Sequence, residues 1–138
     1  MSFKATYLGS NGWIIEFKKY RIIIDPWLRG DLVFPPGGWF FKGKLRDEIP
    51  TPKKIDLILL TQALPDHCHI PSLKKFPKNT CIVCSKSAFK ILDELNFESI
   101  NILEPGQNHK FNDINIEATT GAAVPHIENG YIIETNDG

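Results

Sequence analysis

The fold is decided by the stretch Tyr20-Arg21-Ile22-Ile23-Ile24-Asp25-Pro26. Three consecutive isoleucines in a short β-rich run predict a strand that is covered on both faces. Pro26 ends this strand because proline lacks the amide donor that a sheet ladder needs. The sequence therefore predicts a sheet with material packed on both sides.

Hairpins precede this strand. Residues 4–8 and 13–17 are short β-rich runs separated by Gly9-Ser10-Asn11-Gly12, and Asn-Gly is the strongest two-residue hairpin signal. Lys18-Lys19 then turns the chain into the central strand. We expect three antiparallel strands at the start of the chain.

The rest of the chain predicts further strands and few helices. The expected strands cover residues 55–61, 80–84, 99–103, 109–111, 114–119 and 131–134. A short helix is expected over residues 71–75 and a longer one over residues 85–95, capped by Ser85 or Ser87. The apolar residues on one face of the longer helix are Ala88, Ile91, Leu92 and Leu95.

Residues 27–54 show no regular pattern. Proline and glycine are frequent there, and they frame the aromatic run Trp39-Phe40-Phe41. Loops of this length are uncommon in compact domains and are usually functional or covered by a partner. The aromatic side chains either pack into the core or form a lid or an oligomer contact, because an exposed patch would favour aggregation.

Composition limits the class of protein. The 138 residues predict one domain, and 16 Lys+Arg balance 16 Asp+Glu, so no net positive charge is available for nucleic acid. No apolar run approaches the ~20 residues that cross a bilayer, and the first residues show no secretory signal. Three cysteines do not form a disulfide framework. We expect a single cytoplasmic globular domain over residues 1–138, without nucleic-acid or membrane partners.

The densest polar cluster covers residues 62–69, directly after an apolar strand. Open α/β folds place their sites at such strand ends. Asp66, His67, Cys68 and His69 are all residue types that bind zinc. Because adjacent side chains diverge, two or three of them at most can meet at one ion. In the structural alternative, Asp66 accepts hydrogen bonds from the loop backbone and His67 is bonded within a polar pocket.

The segments 22–28 and 56–61, followed by Asp66-His67, resemble the N-terminal half of the metallo-β-lactamase fold. The similarity is greatest to its lactonase-like, predicted Zn-dependent hydrolases, and residues 128–131 after Gly121 also fit that branch. The resemblance implies a mixed α/β or α+β architecture, one half of a four-layer αββα sandwich. Since the chain stops at Asn136-Asp137-Gly138, a hairpin-turn sequence, we expect it to be truncated relative to the family.

The family's metal motif is His-x-His-x-Asp-His, and it falls here on Gln62, Leu64, Asp66 and His67. Leu64 cannot bind a metal, and Gln62 is a poor replacement for imidazole. The family's third histidine is replaced by Ala122. The resemblance therefore leaves Asp66 and His67, which belong to the second metal, as the catalytic and metal-binding candidates.

Two ligands are too few for a catalytic zinc, which needs about three protein ligands and a water. His69 or Cys68 is a candidate third ligand from the same loop, and His126 is one from outside it. Asp25 resembles the family's strand-end aspartate, which supports the ligands from behind, and Gln62 is a weak further candidate. Zinc, another divalent metal and no metal at all remain open alternatives.

The Cys81–Cys84 pair and His109 are weaker candidates for a functional site. Cys81 and Cys84 have the spacing of a zinc or redox pair, but three residues along a strand place them on opposite faces. His109 is expected at the surface near the start of a strand.

Two functions follow. The first is a metallo-β-lactamase-like protein with a degenerate metal site, which acts as a ligand-binding or assembly module for an unidentified small molecule. The alternative is a metal-dependent hydrolase of phosphate or lactone/ester bonds that uses a nonstandard site at Asp66 and His67. A half-sandwich also leaves one sheet face exposed, and we expect a homodimer to cover it.

Overall fold

The computed structural model describes residues 3–121 and 128–135, and strands dominate those ranges. The strands are β1 (Phe3–Gly9), β2 (Gly12–Phe17), β3 (Tyr20–Ile24), β4 (Asp31–Val33), β5 (Lys42–Lys44), β6 (Leu57–Leu60), β7 (Cys81–Cys84), β8 (Ile100–Ile102), β9 (Asn108–Phe111), β10 (Ile114–Thr120) and β11 (Asn129–Thr135). The α-helices are α1 (Ile70–Leu73) and α2 (Lys86–Leu92), and a single 3-10 turn at Asp93–Leu95 extends α2.

A mixed six-stranded sheet lies at the centre, in the order β1-β2-β3-β6-β7-β8. The pairs β1–β2 and β2–β3 are antiparallel, whereas β3, β6, β7 and β8 run parallel to one another. Ile22 pairs with Leu57 across the β3–β6 boundary, and both are fully buried. The predicted strand with two covered faces is therefore confirmed.

Layers cover the two faces of this sheet. On one face, α1 and α2 contribute buried side chains such as Leu73, Ala88 and Leu92, which pack over Ile23 and Ile58. On the other face lies a second sheet in the order β11-β10-β9. Its buried residues cluster with inner-face residues of β3, β6 and β7. The result is a helix–sheet–sheet arrangement, consistent with part of an αββα sandwich.

Helix α2 begins where the sequence predicts. The Ser85 hydroxyl accepts a hydrogen bond from the amide of Ala88 at 3.3 Å, which is the expected N-cap. The α-helix ends at Leu92, earlier than predicted, and Ile91 is exposed because it lies at the margin of the stripe formed by residues 88, 92 and 95. In the described ranges, no helix has the length and apolar character required to cross a membrane.

The segment 27–54 contains structure that its sequence pattern does not predict. Strands β4 and β5 form a small antiparallel hairpin over three residue pairs, supported by an ion pair of 2.5 Å between Lys42 Nζ and Asp31. Trp39 is 83% exposed, and Phe40 and Phe41 are exposed beside it. Of the two alternatives for these aromatic side chains, packing into the core is wrong, because all three are exposed.

The sheet face opposite the helices is exposed in part only. The second sheet buries it over β3, β6 and β7, so the expectation of a fully bare face is too simple. Along β1 and β2 the same face presents Phe3, Tyr7 and Trp13, which are exposed. Cross-strand pairing places Tyr7 opposite Trp13 and Phe3 opposite Phe17, so these aromatic side chains share one face.

Candidate functional site

A polar cluster lies at the carboxyl ends of the parallel strands β3 and β6. Asp25 follows β3, and Thr61 begins the loop after β6. The β1–β2 turn and the start of β11 reach the same edge, since the amide of Asn129 donates to the carbonyl of Thr61 at 2.9 Å. The topology thus brings four separate segments of the chain to one place.

Asp25 is the buried anchor of this cluster. Its Oδ1 accepts from the Thr61 amide at 2.9 Å, and its Oδ2 accepts from the Thr61 hydroxyl at 2.5 Å. The same Oδ2 lies 2.7 Å from His67 Nδ1. Asp25 has a positive φ of 42°, which aspartate tolerates better than most residues. Asp25 therefore lies directly behind His67 and fixes the orientation of its ring.

His67 is held in one tautomer. Because Nδ1 faces the Asp25 carboxylate, we assign the proton to Nδ1, which leaves Nε2 as an acceptor. Two side-chain amide nitrogens lie near that atom, Asn11 Nδ2 at 3.1 Å and Gln62 Nε2 at 3.2 Å. The lone pair that could coordinate a metal thus faces two hydrogen-bond donors.

Asp66 and Gln62 each carry one oxygen without a donor. Asp66 Oδ2 accepts from Asn11 Nδ2 at 2.9 Å and lies 3.6 Å from His67 Nε2. Gln62 is 5% exposed, and its Nε2 donates to Glu128. Within residues 3–121 and 128–135, Asp66 Oδ1 and Gln62 Oε1 are buried and have no hydrogen-bond donor. The hydrogen bond from Asn11 links Asp66 to the β1–β2 turn, while its other carboxylate oxygen has no donor among these residues.

The cluster is negatively charged. Burial alone would lower the pKa of His67, but the hydrogen bond and charge of Asp25, with the charges of Asp66 and Glu128, raise it above its usual value. Burial raises the pKa of Asp25, and the hydrogen bonds from His67 and Thr61 oppose that rise. Three carboxyl groups therefore surround a single imidazole.

The other predicted ligands of the loop point elsewhere. The His69 ring is buried, with Nδ1 at 2.9 Å from the Ser72 hydroxyl and Nε2 at 3.2 Å from the carbonyl of Asp31. Burial lowers the pKa of His69 and raises the pKa of the Cys68 thiol to about 12. His126 and Ala122 lie outside the described residues.

Among residues 3–121 and 128–135, the donor set does not fit a two-metal centre. In the described part of the chain, no three His, Cys, Asp or Glu side chains converge as metal ligands. Asp66 and His67 come together, but His67 Nε2 is already bonded to amides. A structural zinc needs four such ligands and a catalytic zinc about three.

Besides Thr61, which belonged to a predicted strand, two residues of the cluster were not predicted from the sequence. Asn11 was identified only as a turn residue, and Glu128 only as part of the family resemblance. Neither has a local signal, because each reaches the cluster through the tertiary fold, Asn11 across 55 positions to Asp66.

The remaining candidates lie apart from the cluster. Cys81 packs with the face under the second sheet, and Cys84 packs with the face under the helices, as the strand spacing predicts. His109 is half-buried within β9, where a surface position was expected.

Comparisons with known proteins place this geometry in context. The model of the β-lactamase superfamily domain matches residues 4–137. No curated protein matches the chain.

Solved structures share the fold at low sequence identity. A possible metal-dependent hydrolase from Veillonella parvula DSM 2008 has a TM-score of 0.74 and 19% identity, over 99% of this chain and 60% of that chain. The metallo hydrolase Igni18 from Ignicoccus hospitalis has a TM-score of 0.66 and 20% identity, over 97% and 56%. A metallo-β-lactamase fold protein from Bacillus subtilis has a TM-score of 0.57 and 16% identity, over 89% and 50%. The chain spans 50% to 60% of the length of these structures.

Proposed function

Because the chain belongs to the β-lactamase superfamily and has the metallo-β-lactamase fold, we propose that it is a ligand-binding module of this superfamily with a degenerate metal centre. One observation carries the proposal. His67 Nε2, the atom through which this ring would coordinate a metal, faces the amide donors of Asn11 and Gln62. Amide hydrogens thus satisfy the lone pair that a cation would otherwise take.

The energetics favour this arrangement over metal binding. A metal at His67 Nε2 would have to displace both amides, and each displaced amide would lose a buried hydrogen bond. The ion would gain Asp66 as its second ligand, and two ligands give little affinity for zinc. The polar cluster is therefore proposed to persist as a hydrogen-bonded site that binds a small molecule.

Elemental analysis of protein purified without chelator or added metal tests the proposal. We expect less than about a tenth of an equivalent of zinc, iron or manganese, since three or more convergent ligands are needed to retain such ions. About one metal per chain, or one per dimer, would overturn the proposal.

A gain of binding provides the complementary test. Gln62→His combined with Leu64→His restores two of the three missing family histidines and removes one of the two amides at His67. Zinc affinity should rise in this variant and should fall again when His67→Gln is added as the matched control. No gain in affinity would mean that the loop does not have the family's geometry.

A second function is favoured by the two unpartnered oxygens. In this alternative, Asp66 Oδ1 and Gln62 Oε1 would be joined by His67 as the ligands of one hard cation, which would displace the amides at Nε2. In this alternative the chain is a metal-dependent hydrolase of phosphate or lactone/ester bonds. Manganese- or zinc-stimulated hydrolysis of p-nitrophenyl phosphate or of a γ-lactone, lost in Asp66→Asn, would support it.

We also propose that two copies of the chain associate through the exposed face of β1 and β2. Phe3, Tyr7 and Trp13 continue the buried face of the central sheet, and β1 is an open edge of that sheet. Among the described residues, these three aromatic side chains stay exposed. Light scattering should give twice the chain mass, and Tyr7→Asp should give the monomer; a wild-type monomer at micromolar concentration would refute the dimer.

The thiols support a cytoplasmic location. Cys68, Cys81 and Cys84 are all free, which is typical of proteins in reducing compartments. Fractionation of cells that express a tagged chain would test this location.

A further inference from the structure

We propose that Gln62 Oε1 and Asp66 Oδ1 bind the primary ammonium group of a small organic cation. This inference rests on the proposed function, because it names the ligand class of the same pocket. The inference goes beyond the proposed function because it names the atoms that bind the ligand.

The first support is the missing hydrogen bonds. Gln62 is 5% exposed, and neither its Oε1 nor Asp66 Oδ1 has a donor among the residues that the structure describes. A buried acceptor without a donor costs free energy that a bound ligand with N–H groups would recover. Each of the two oxygens can therefore accept a hydrogen bond from a ligand.

The second support is their common position. Both side chains adjoin the same atom, since His67 Nε2 lies 3.2 Å from Gln62 Nε2 and 3.6 Å from Asp66 Oδ2. Gln62 Oε1 shares its carbon with Nε2, and Asp66 Oδ1 shares its carbon with Oδ2. The two side chains therefore flank the same edge of the His67 ring.

The third support is charge. Asp25, Asp66 and Glu128 all act on His67 as negative charges. Asp25 Oδ2 lies 2.7 Å from His67 Nδ1 and Asp66 Oδ2 lies 3.6 Å from His67 Nε2, and this imidazole pairs with them as a cation only when it is protonated. Asp25, Asp66 and His67 together therefore carry a net negative charge, which favours a cationic ligand.

Donor arithmetic distinguishes an ammonium from a metal. A primary ammonium carries three N–H donors, and Gln62 Oε1 and Asp66 Oδ1 are two acceptors without a donor among the described residues. A metal ion needs three or more protein ligands, and His67 Nε2 is already hydrogen-bonded. The side chains of Asp66 and His67 are 23% and 16% exposed, so the cluster reaches the surface beside the two buried oxygens.

Three probes separate the contributions of charge and hydrogen bonding. Butylammonium carries both, tetramethylammonium carries charge without N–H donors, and 1-butanol carries neither the charge nor the ammonium donors. In ¹H–¹⁵N NMR titrations of the full chain, butylammonium should shift the side-chain amide signals of Asn11 and Gln62. Tetramethylammonium should bind at least about tenfold more weakly, and 1-butanol should leave these signals unchanged.

A variant assigns the binding to Asp66. Asp66→Asn keeps the shape of the side chain and should weaken butylammonium binding by about tenfold or more. Asp93→Asn removes the same charge from the exposed 3-10 turn and should leave the affinity unchanged. Far-UV circular dichroism confirms that each variant is folded, and Gln62→Leu, if folded, should weaken binding in the same way.

The outcomes are distinguishable from failure of the proposed function. This inference is overturned if metal-free protein does not bind butylammonium or binds it as weakly as tetramethylammonium. It is also overturned if Asp66→Asn retains full affinity for butylammonium. The proposal of a degenerate metal centre would survive each of these results. About one metal per purified chain overturns both, since the ion would occupy these acceptors.

Discussion

Asp25→Asn removes a negative charge from the buried anchor of the polar cluster and keeps its shape. Asparagine also tolerates the positive φ of 42° at this position, so the backbone does not confound the result. We expect the variant to fold, to be less stable, and to release His67 from its fixed orientation.

The magnitude follows from the bonds at the two carboxylate oxygens. The bond from the Thr61 amide to Oδ1 can survive, but the bonds from the Thr61 hydroxyl and His67 Nδ1 to Oδ2 would meet an amide nitrogen. Hydrogen bonds to charged groups contribute about 1.5–3 kcal/mol each, and the new amide can donate to one of the two partners. A loss of about 2–4 kcal/mol in the free energy of unfolding results, within the roughly 5–15 kcal/mol of a typical domain.

Urea unfolding monitored by tryptophan fluorescence measures this loss. An NMR titration of the His67 ring provides a second readout, because the bond and charge of Asp25 raise its pKa and the variant should lower it. Asp31→Asn is the control, since Asp31 pairs with Lys42 at the surface and its removal should barely move the midpoint. An unchanged midpoint together with an unchanged His67 pKa would refute the reasoning.

Three further predictions concern pH, thiol reactivity and helix capping. The folded state holds the His67 proton more tightly than the unfolded chain does, so the stability from this group is complete below its usual pKa of 6.5 and is lost as the pH rises through the raised pKa. Urea midpoints should fall over that range and the slope should vanish in His67→Gln; midpoints that rise with pH would contradict the sign. Burial raises the pKa of the Cys68 and Cys84 thiols to about 12, so iodoacetamide at neutral pH should alkylate the half-buried Cys81 first. Mass spectrometry of the labelled peptides checks this order, and equal labelling of all three would oppose it. Ser85→Ala removes the N-cap of α2 and should cost about 1 kcal/mol, seen as a lower Tm; an unchanged Tm would mean that this cap contributes nothing.

Local signals were enough to predict the central sheet. The run 55–61 forms β6 at Leu57–Leu60, and the chain turns between β1 and β2 at Ser10-Asn11, beside the predicted Asn-Gly pair. The β4–β5 hairpin could not be predicted, because its three pairs join residues on either side of a proline-rich loop. The hairpin is stabilised by pairing between the two strands, and neither strand has a local sequence pattern that predicts this pairing.

The candidate site could be located from the sequence but not assembled. The loop 62–69 was identified, and Asp66 and His67 do meet in it. His69 diverges from them because the loop turns tightly, with the amides of His67 and Cys68 both donating to the carbonyl of Leu64. The roles of Asn11 and Glu128 depend on which turns converge at the sheet edge, and that is a property of the whole fold.

The parallel pairing of β3 with β6 has a consequence for how the chain folds. Strands β1, β2 and β3 join through short turns and can form from local contacts alone, whereas β3 meets β6 only after the long segment between them has closed. Asp25 and Thr61 sit on opposite sides of that closure, so their hydrogen bonds cannot form until it is complete. We expect the N-terminal hairpins to gain hydrogen-exchange protection early in refolding and the polar cluster to assemble in the final step.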